Sequence, residues 1–90
     1  MTFNDLKKGR IYRFLGSDAY YKVLDKGRNW ACLLRFEDSH GVANPVIWDK
    51  GFDLTGLVED FDDYVEDIFD NLVYLKDKDI LKYEGEYESM

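Results

Sequence analysis

The first half of the chain alternates apolar and polar residues with the period of two that is typical of a half-buried β-strand. The clearest stretch spans residues 30–37 and predicts one strand of the sheet. Arg35 and Glu37 fall on one face of this strand. The opposite, apolar face is expected to consist of Trp30, Cys32, Leu34 and Phe36.

Three further strands are predicted where β-branched and aromatic residues lie between turn signals, over residues 10–15, 20–24 and 42–48. Pro45 lies inside the last of them. Because proline has no amide hydrogen, this strand is predicted to lie at a sheet edge or to be broken there. Short turns between sequential strands favour an antiparallel meander over residues 10–48, as a small sheet or partly closed barrel of about four to five strands.

After Gly51 the apolar residues recur at the spacing of a helix, and they are Leu57, Phe61, Tyr64, Val65, Ile68, Phe69 and Leu72. This spacing predicts a helix over residues 57–72, with Thr55 as its N-cap. The chain is therefore predicted to be one α+β domain over residues 1–90, in which one acidic amphipathic helix packs against the sheet. Residues 85–90 are predicted to be a frayed tail.

Charge is distributed unevenly along the chain, whose net charge is −7. Residues 1–50 contain nine Lys/Arg and six Asp/Glu, a net of +3, whereas residues 51–90 contain three and thirteen, a net of −10. Seven of the twelve residues from 59 to 70 are acidic. They are Glu59, Asp60, Asp62, Asp63, Glu66, Asp67 and Asp70, and the first two are expected in the first helical turn, where the helix dipole favours acids.

The acidic segment has three interpretations. It can be a solvated helix face, a negative surface for a basic partner, or a set of acids that face the protein's own basic strands. An ordinary solvated face intersperses lysines among its acids, and this segment contains none. For the third interpretation, the candidate cations are Arg10, Arg13, Arg28 and Arg35.

Presentation of the acids to a partner is the leading functional prediction. On a helix the seven acids would extend over about 17 Å, where duplex DNA carries roughly ten charges. The composition is similar to that of small virus-encoded inhibitors, including DNA mimics, although no motif accompanies the similarity. We expect a non-catalytic protein-interaction module, such as an inhibitor, whose acidic helix meets a basic surface of a partner, for example of a nucleic-acid-binding protein.

The alternative prediction is a small-barrel binding domain that holds a peptide or single-stranded nucleic acid on the β half. Its surface would combine cations and rings, namely Arg10, Tyr12, Arg13, Tyr20, Tyr21 and Trp30. Equally, these rings can fill a thin core. The net negative charge opposes affinity for a polyanion, so direct nucleic-acid binding is not expected.

The sequence predicts no catalytic residue, cofactor or metal site. His40 and Cys32 are the only histidine and cysteine, and a catalytic pair would require them to meet in space. Asp60, Asp63 and Asp67 would share a side of the predicted helix, but the loop spacing of a calcium site is absent.

The setting predicted for the chain is a reducing, cytoplasmic one without a membrane. A lone cysteine cannot form an internal disulfide, the N-terminus lacks the basic and apolar pattern of a signal peptide, and no apolar run approaches the roughly 20 residues that span a bilayer. Edge strands and exposed rings permit a homodimer.

Overall fold

The computed structural model describes residues 1–75 and 80–83 and has an α+β fold. The described strands are β1 (Ile11–Phe14), β2 (Ala19–Lys26), β3 (Trp30–Glu37), β4 (Val42–Asp49), β5 (Leu57–Glu59), β6 (Leu72–Leu75) and β7 (Ile80–Tyr83). They form one sheet in the order β5-β1-β2-β3-β4-β7-β6, with every neighbouring pair antiparallel. The helix α1 (Asp63–Asp70) packs on it, and a 3-10 turn (Phe3–Asp5) precedes β1.

The predicted meander is confirmed, because β1, β2, β3 and β4 are sequential antiparallel neighbours. The strand β3 has the predicted bounds, whereas β2 extends two residues further towards its C-terminus than predicted. In the described part of the chain, β5 and β6 are the outer strands and do not pair with each other, so the sheet is open and the barrel alternative is not confirmed. The predicted tail at residues 85–90 lies outside the described residues.

The predicted helix over residues 57–72 is wrong at both ends. Residues 57–59 form β5, which pairs with β1, and residues 72–75 form β6. Thr55 is not the N-cap, because the strand β5 and not a helix follows it, and its amide donates to Asp53 Oδ1 at 2.9 Å in a turn. The N-cap is Asp62, whose Oδ1 accepts from the Tyr64 amide at 2.9 Å. None of the described helices is long and apolar enough to cross a bilayer.

Pro45 lies within a continuous strand, so the prediction of a break is wrong. The Lys50 amide donates to the Asn29 carbonyl at 2.9 Å, and Trp30 lies opposite Asp49. This register turns the backbone groups of the odd-numbered residues of β4 away from β3. The missing N–H of Pro45 therefore faces the outer side of β4, where β7 pairs only with the first two residues of the strand, and no bond to β3 is lost.

Strand alternation places a core cluster on each face of the sheet. The cluster that we call the N-terminal core contains Phe3, Leu6, Tyr12, Val23, Ala31, Leu33, Trp48, Leu54 and Leu57. The cluster that we call the helix core contains Ile11, Leu34, Phe36, Ala43, Val65, Ile68 and Phe69. The sequence pattern predicted only one apolar face for β3, whereas both of its faces contribute buried residues.

One face of β3 carries Trp30, Cys32, Leu34 and Phe36, as predicted. Only the C-terminal half of this face is covered. The last two belong to the helix core, Cys32 is half-buried, and Trp30 is 43% exposed and contacts Gly27. The helix α1 is only eight residues long and packs near Phe36. It therefore leaves the Trp30 end of this face exposed.

The side chain of Lys26 on β2 bonds the N-terminal segment to the sheet. Its Nζ donates to the carbonyls of Phe3 and Leu6, both at 2.8 Å, and lies 4.9 Å from the Phe3 ring centroid.

Because hydrogen bonds from a charged donor stabilise more than neutral ones, Lys26→Met should lower the free energy of unfolding by about 1.5–3 kcal/mol, measured by urea denaturation. The control Lys8→Met removes an exposed ion pair of 3.9 Å and should change it by less than about 0.5 kcal/mol. Equal losses in the two variants would contradict this role of Lys26.

Candidate protein-interaction surface

The predicted acidic segment separates into two groups, and the first faces the protein itself. Glu59 lies on β5, where its Oε2 is 3.6 Å from Arg10 Nη1. Asp60 follows that strand, and its Oδ2 is 3.2 Å from Arg13 Nε. The two carboxylate side chains are only 22% and 13% exposed. Their predicted position in the first turn of the helix is therefore wrong, because their strand brings them beside the arginines near β1.

The second group is exposed to solvent on α1 and its N-cap. It consists of Asp62, Asp63, Glu66, Asp67 and Asp70, and we call it the acidic helix surface. Lys22 Nζ lies 4.0 Å from Asp70 Oδ1, but that aspartate side chain is 71% exposed. None of the ion pairs between described residues involves the other four acids of the group, so most of this charge is directed to solvent.

Two aromatic rings accompany these acids. Phe61 is 74% exposed and Tyr64 is 46% exposed, although their spacing had placed both in the buried stripe of the predicted helix. Phe61 precedes the helix, so the helical spacing does not apply to it. The buried side of α1 is formed instead by Val65, Ile68 and Phe69.

Short hydrogen bonds fix the entry to the helix and thereby position both rings. Asp60 Oδ1 accepts from the Asp62 amide at 2.9 Å, and Asp62 Oδ1 accepts from the Tyr64 amide at 2.9 Å. In each of these consecutive Asx turns an aspartate side chain accepts from the amide two residues later, and together they fix the backbone of residues 60–64. The geometry also explains why the aspartates here are compatible with folding: an acid in the first turn is favoured by the helix dipole.

The residues of the alternative surface are not brought together. Tyr12 is fully buried in the N-terminal core, and its Oη accepts from the Lys7 amide at 2.9 Å. Burial raises the pKa of the Tyr12 phenol above its ordinary value. Tyr21 lies directly opposite Tyr12 in the sheet and on the same face, and its Oη accepts from Arg35 Nε at 3.1 Å.

The remaining members of that set lie elsewhere. Arg13 and Tyr20 lie opposite each other on the helix face of the sheet. Burial raises the pKa of the Tyr20 phenol. Trp30 is at the uncovered end of β3, and Arg10 is engaged by Glu59. The six residues therefore occupy both faces of the sheet and form no continuous binding surface.

The two residues considered for nucleophilic chemistry are also separate. His40 is in the turn after β3, where its Nδ1 lies 3.1 Å from Ser39 Oγ and 3.4 Å from Glu37 Oε2. Cys32 is five residues before Glu37 on β3, about 16 Å away along an extended strand. The described residues contain no group of three or more His, Cys, Asp or Glu side chains that could hold a metal ion.

Comparisons of the chain with models of protein families, with curated proteins and with solved structures find no match.

Proposed function

We propose that the protein is a non-catalytic interaction module that presents the acidic helix surface to a basic surface of a partner protein. The observation that carries this proposal is the combination of five exposed acids on α1 and its N-cap with two exposed rings, Tyr64 on the helix and Phe61 just before it. Exposed acids alone are typical of a solvated face. Large exposed rings beside them are not, because burying such rings is favourable and they are enriched at the centres of interfaces.

The acids and the rings would contribute differently to binding. Exposed like charges steer a partner of opposite charge and raise the association rate, but each contributes little once it is solvated at the rim. Phe61 and Tyr64 would supply the desolvated contact, since aromatic residues dominate the energetics of most interfaces. A suitable partner therefore has an apolar recess that is surrounded by Lys and Arg.

A nucleic-acid-binding protein is the partner class that this charge pattern favours. The acids from Asp62 to Asp70 place five charges over about 13 Å of helix, where duplex DNA carries roughly eight. This charge density is lower than the one predicted from all seven acids of the segment, because Glu59 and Asp60 are paired with arginines. The charge pattern supports the proposal that the protein acts as an inhibitor that occupies the DNA-binding groove of such a partner.

The experiment that tests the proposal is affinity capture from a lysate with two competitors. We expect the immobilised protein to retain a basic protein that is released by raised salt and by duplex DNA, because both act on the same positive surface. Release by salt without release by DNA would support a basic partner that does not bind nucleic acid. Retention of no protein, or of proteins insensitive to salt, would contradict the proposal.

The contribution of the rings can be measured separately. Phe61→Ala should weaken binding of the captured partner by about 10–30-fold and change the free energy of unfolding by less than about 0.5 kcal/mol, because the ring is exposed. The matched control is Leu15→Ala, which truncates another exposed apolar side chain outside the helix. Titration calorimetry and urea denaturation measure the two quantities. Unchanged affinity of the Phe61 variant would show that the acids act without this ring.

A further inference from the structure

Asp60 joins the strand β1 to the entry of α1 through both its backbone and its side chain. Its amide donates to the Ile11 carbonyl at 2.8 Å, so its backbone is anchored to β1. Its Oδ2 lies 3.2 Å from Arg13 Nε, and its Oδ1 accepts from the Asp62 amide at 2.9 Å. Both oxygens of this carboxylate are therefore engaged, one by the sheet and one by the turn that precedes the helix.

The hydrogen bonds continue from this turn into the helix. Asp62 Oδ1 accepts from the Tyr64 amide at 2.9 Å, and the Asp62 carbonyl accepts the first backbone bonds of α1 at 3.0 and 3.2 Å. Phe61 is the central residue of the turn that the Asp60 side chain closes, and its ring is 74% exposed. The orientation of the Asp60 carboxylate therefore determines where the ring of Phe61 lies and where the helix begins.

The ion pair with Arg13 keeps this carboxylate in its half-buried position. The Asp60 side chain is only 13% exposed, and Arg13 is the one described cation within 4.0 Å of it. A carboxylate that is largely removed from water is costly to leave without its counter-charge. Without the guanidinium, the Asp60 carboxylate would turn towards solvent, and the Asp62 amide would lose its acceptor.

We propose that Arg13 is a positioning residue of the acidic helix surface: by pairing with Asp60 it keeps Phe61 and the start of α1 in the conformation that binds the partner. This inference rests on the proposed function. A surface that is ordered before binding loses less conformational entropy when the partner arrives. Arg13 acts through Asp60 and does not itself have to contact the partner.

An electrostatic role and a positioning role of Arg13 predict opposite effects on a basic partner. Removal of a cation beside the acidic helix surface strengthens the attraction for a basic protein, so charge alone predicts that Arg13→Met binds more tightly. Loss of the positioning contact predicts that Arg13→Met binds about 5–30-fold more weakly, which corresponds to the cost of fixing the backbone of one residue. The direction of the change in affinity therefore separates the two roles.

Two variants serve as controls for the arginine. Arg10→Met removes the same charge beside the same strand, but Arg10 pairs with Glu59 at 3.6 Å, and within the described part of the chain no hydrogen bond joins the Glu59 side chain to residues 60–64. This variant should therefore bind the partner at least as tightly as the wild type. Arg13→Lys should retain the affinity, because its ammonium extends one atom beyond the position of the arginine Nε and can pair with the same Asp60 oxygen.

The test combines titration calorimetry of the captured partner with amide hydrogen exchange of the free protein, followed by NMR. We expect Arg13→Met to bind more weakly and its Asp62 amide to exchange faster, whereas Arg10→Met and Arg13→Lys keep the wild-type exchange rate at this amide. Unchanged exchange at Asp62 in Arg13→Met would overturn the proposal, and so would unchanged or tighter binding by this variant. Faster exchange to the same extent throughout β3 would also overturn it, because the effect would then be a general loss of stability.

The exchange measurement needs no partner, so failure of this proposal and failure of the proposed function are distinguishable. A wild type that retains no basic protein contradicts the proposed function. The exchange rate of the Asp62 amide in Arg13→Met then still decides whether Arg13 orders the entry to the helix.

Discussion

Replacement of both Asp63 and Asp67 by lysine is expected to abolish partner binding while the protein remains folded. Both side chains are exposed on α1, and Asp63 takes part in no ion pair between described residues. The double variant removes two attractions and adds two repulsions to a basic surface, so the affinity should fall by about 100-fold or more. Titration of the captured partner measures this loss.

The effect on stability should be small for a physical reason. Asp63→Lys loses a favourable interaction with the helix dipole but relieves repulsion from Glu66. Asp67→Lys relieves repulsion from Asp70, so the changes in the free energy of unfolding offset each other to within about 1 kcal/mol. Asp67 Oδ1 also accepts from Asn71 Nδ2 at 3.0 Å, an exposed bond whose loss costs little. A variant that keeps the wild-type affinity would contradict the proposed surface.

Phe36→Ala is expected to produce the largest loss of stability in the chain. The ring is fully buried in the helix core, and its centroid lies 6.1 Å from that of Phe69 in an edge-on arrangement. Removing a buried phenylalanine leaves a cavity and costs about 3–5 kcal/mol. For about 90 residues the total is roughly 5–13 kcal/mol, so urea denaturation should show a variant close to its unfolding threshold.

The same substitution should also weaken partner binding, although Phe36 is remote from solvent. Phe36 on β3 packs in the cluster that holds Val65, Ile68 and Phe69 of α1 on the sheet. Loosening this contact would detach α1, the helix that presents the acids, from the sheet. Phe61→Ala is the matched control for stability, because it removes the same type of side chain from an exposed position. A loss below about 1 kcal/mol in Phe36→Ala would contradict this account of the helix core.

The β meander could be predicted from the sequence because its strands alternate regularly and end in Gly- and Asp-containing turns. The strand β3 has the predicted bounds. What could not be predicted is that β3 lies in the middle of the sheet with buried residues on both faces, because a central strand adds Ala31 and Leu33 to the core of the second face. Burial of that second face depends on the N-terminal segment, which local periodicity does not show.

The helix was predicted too long because a short apolar run has no unambiguous period. Leu57 and Val58 fit a helical stripe as well as they fit a strand, and the pairing of β5 with β1 decides the outcome. The sequence does contain a signal for the true start. Asp60 and Asp62 are spaced to cap consecutive turns, and Asp62 is a better N-cap than a threonine seven residues earlier.

The candidate site was predicted in part. The exposed acids from Asp62 to Asp70 lie on α1 and its cap, as the charge pattern indicated. The pairing of Glu59 with Arg10 and of Asp60 with Arg13 depends on the strand register, which no local pattern reveals. The exposed ring of Phe61 was missed because the helix was predicted to begin too early, and its exposure follows from the corrected start of the helix.

Comparison of three immobilised forms of the protein in one lysate tests directly whether the acidic helix surface binds the partner. The forms are the wild type, Asp63→Lys/Asp67→Lys, and the triple variant Asn4→Lys/Asp25→Lys/Asn29→Lys, which changes the net charge to the same extent at exposed positions outside the helix. We expect a basic protein that the wild type retains to be lost with the helix variant and kept by the triple variant. Equal retention by all three forms, or loss with both variants, would show that the acidic helix surface is not the binding site.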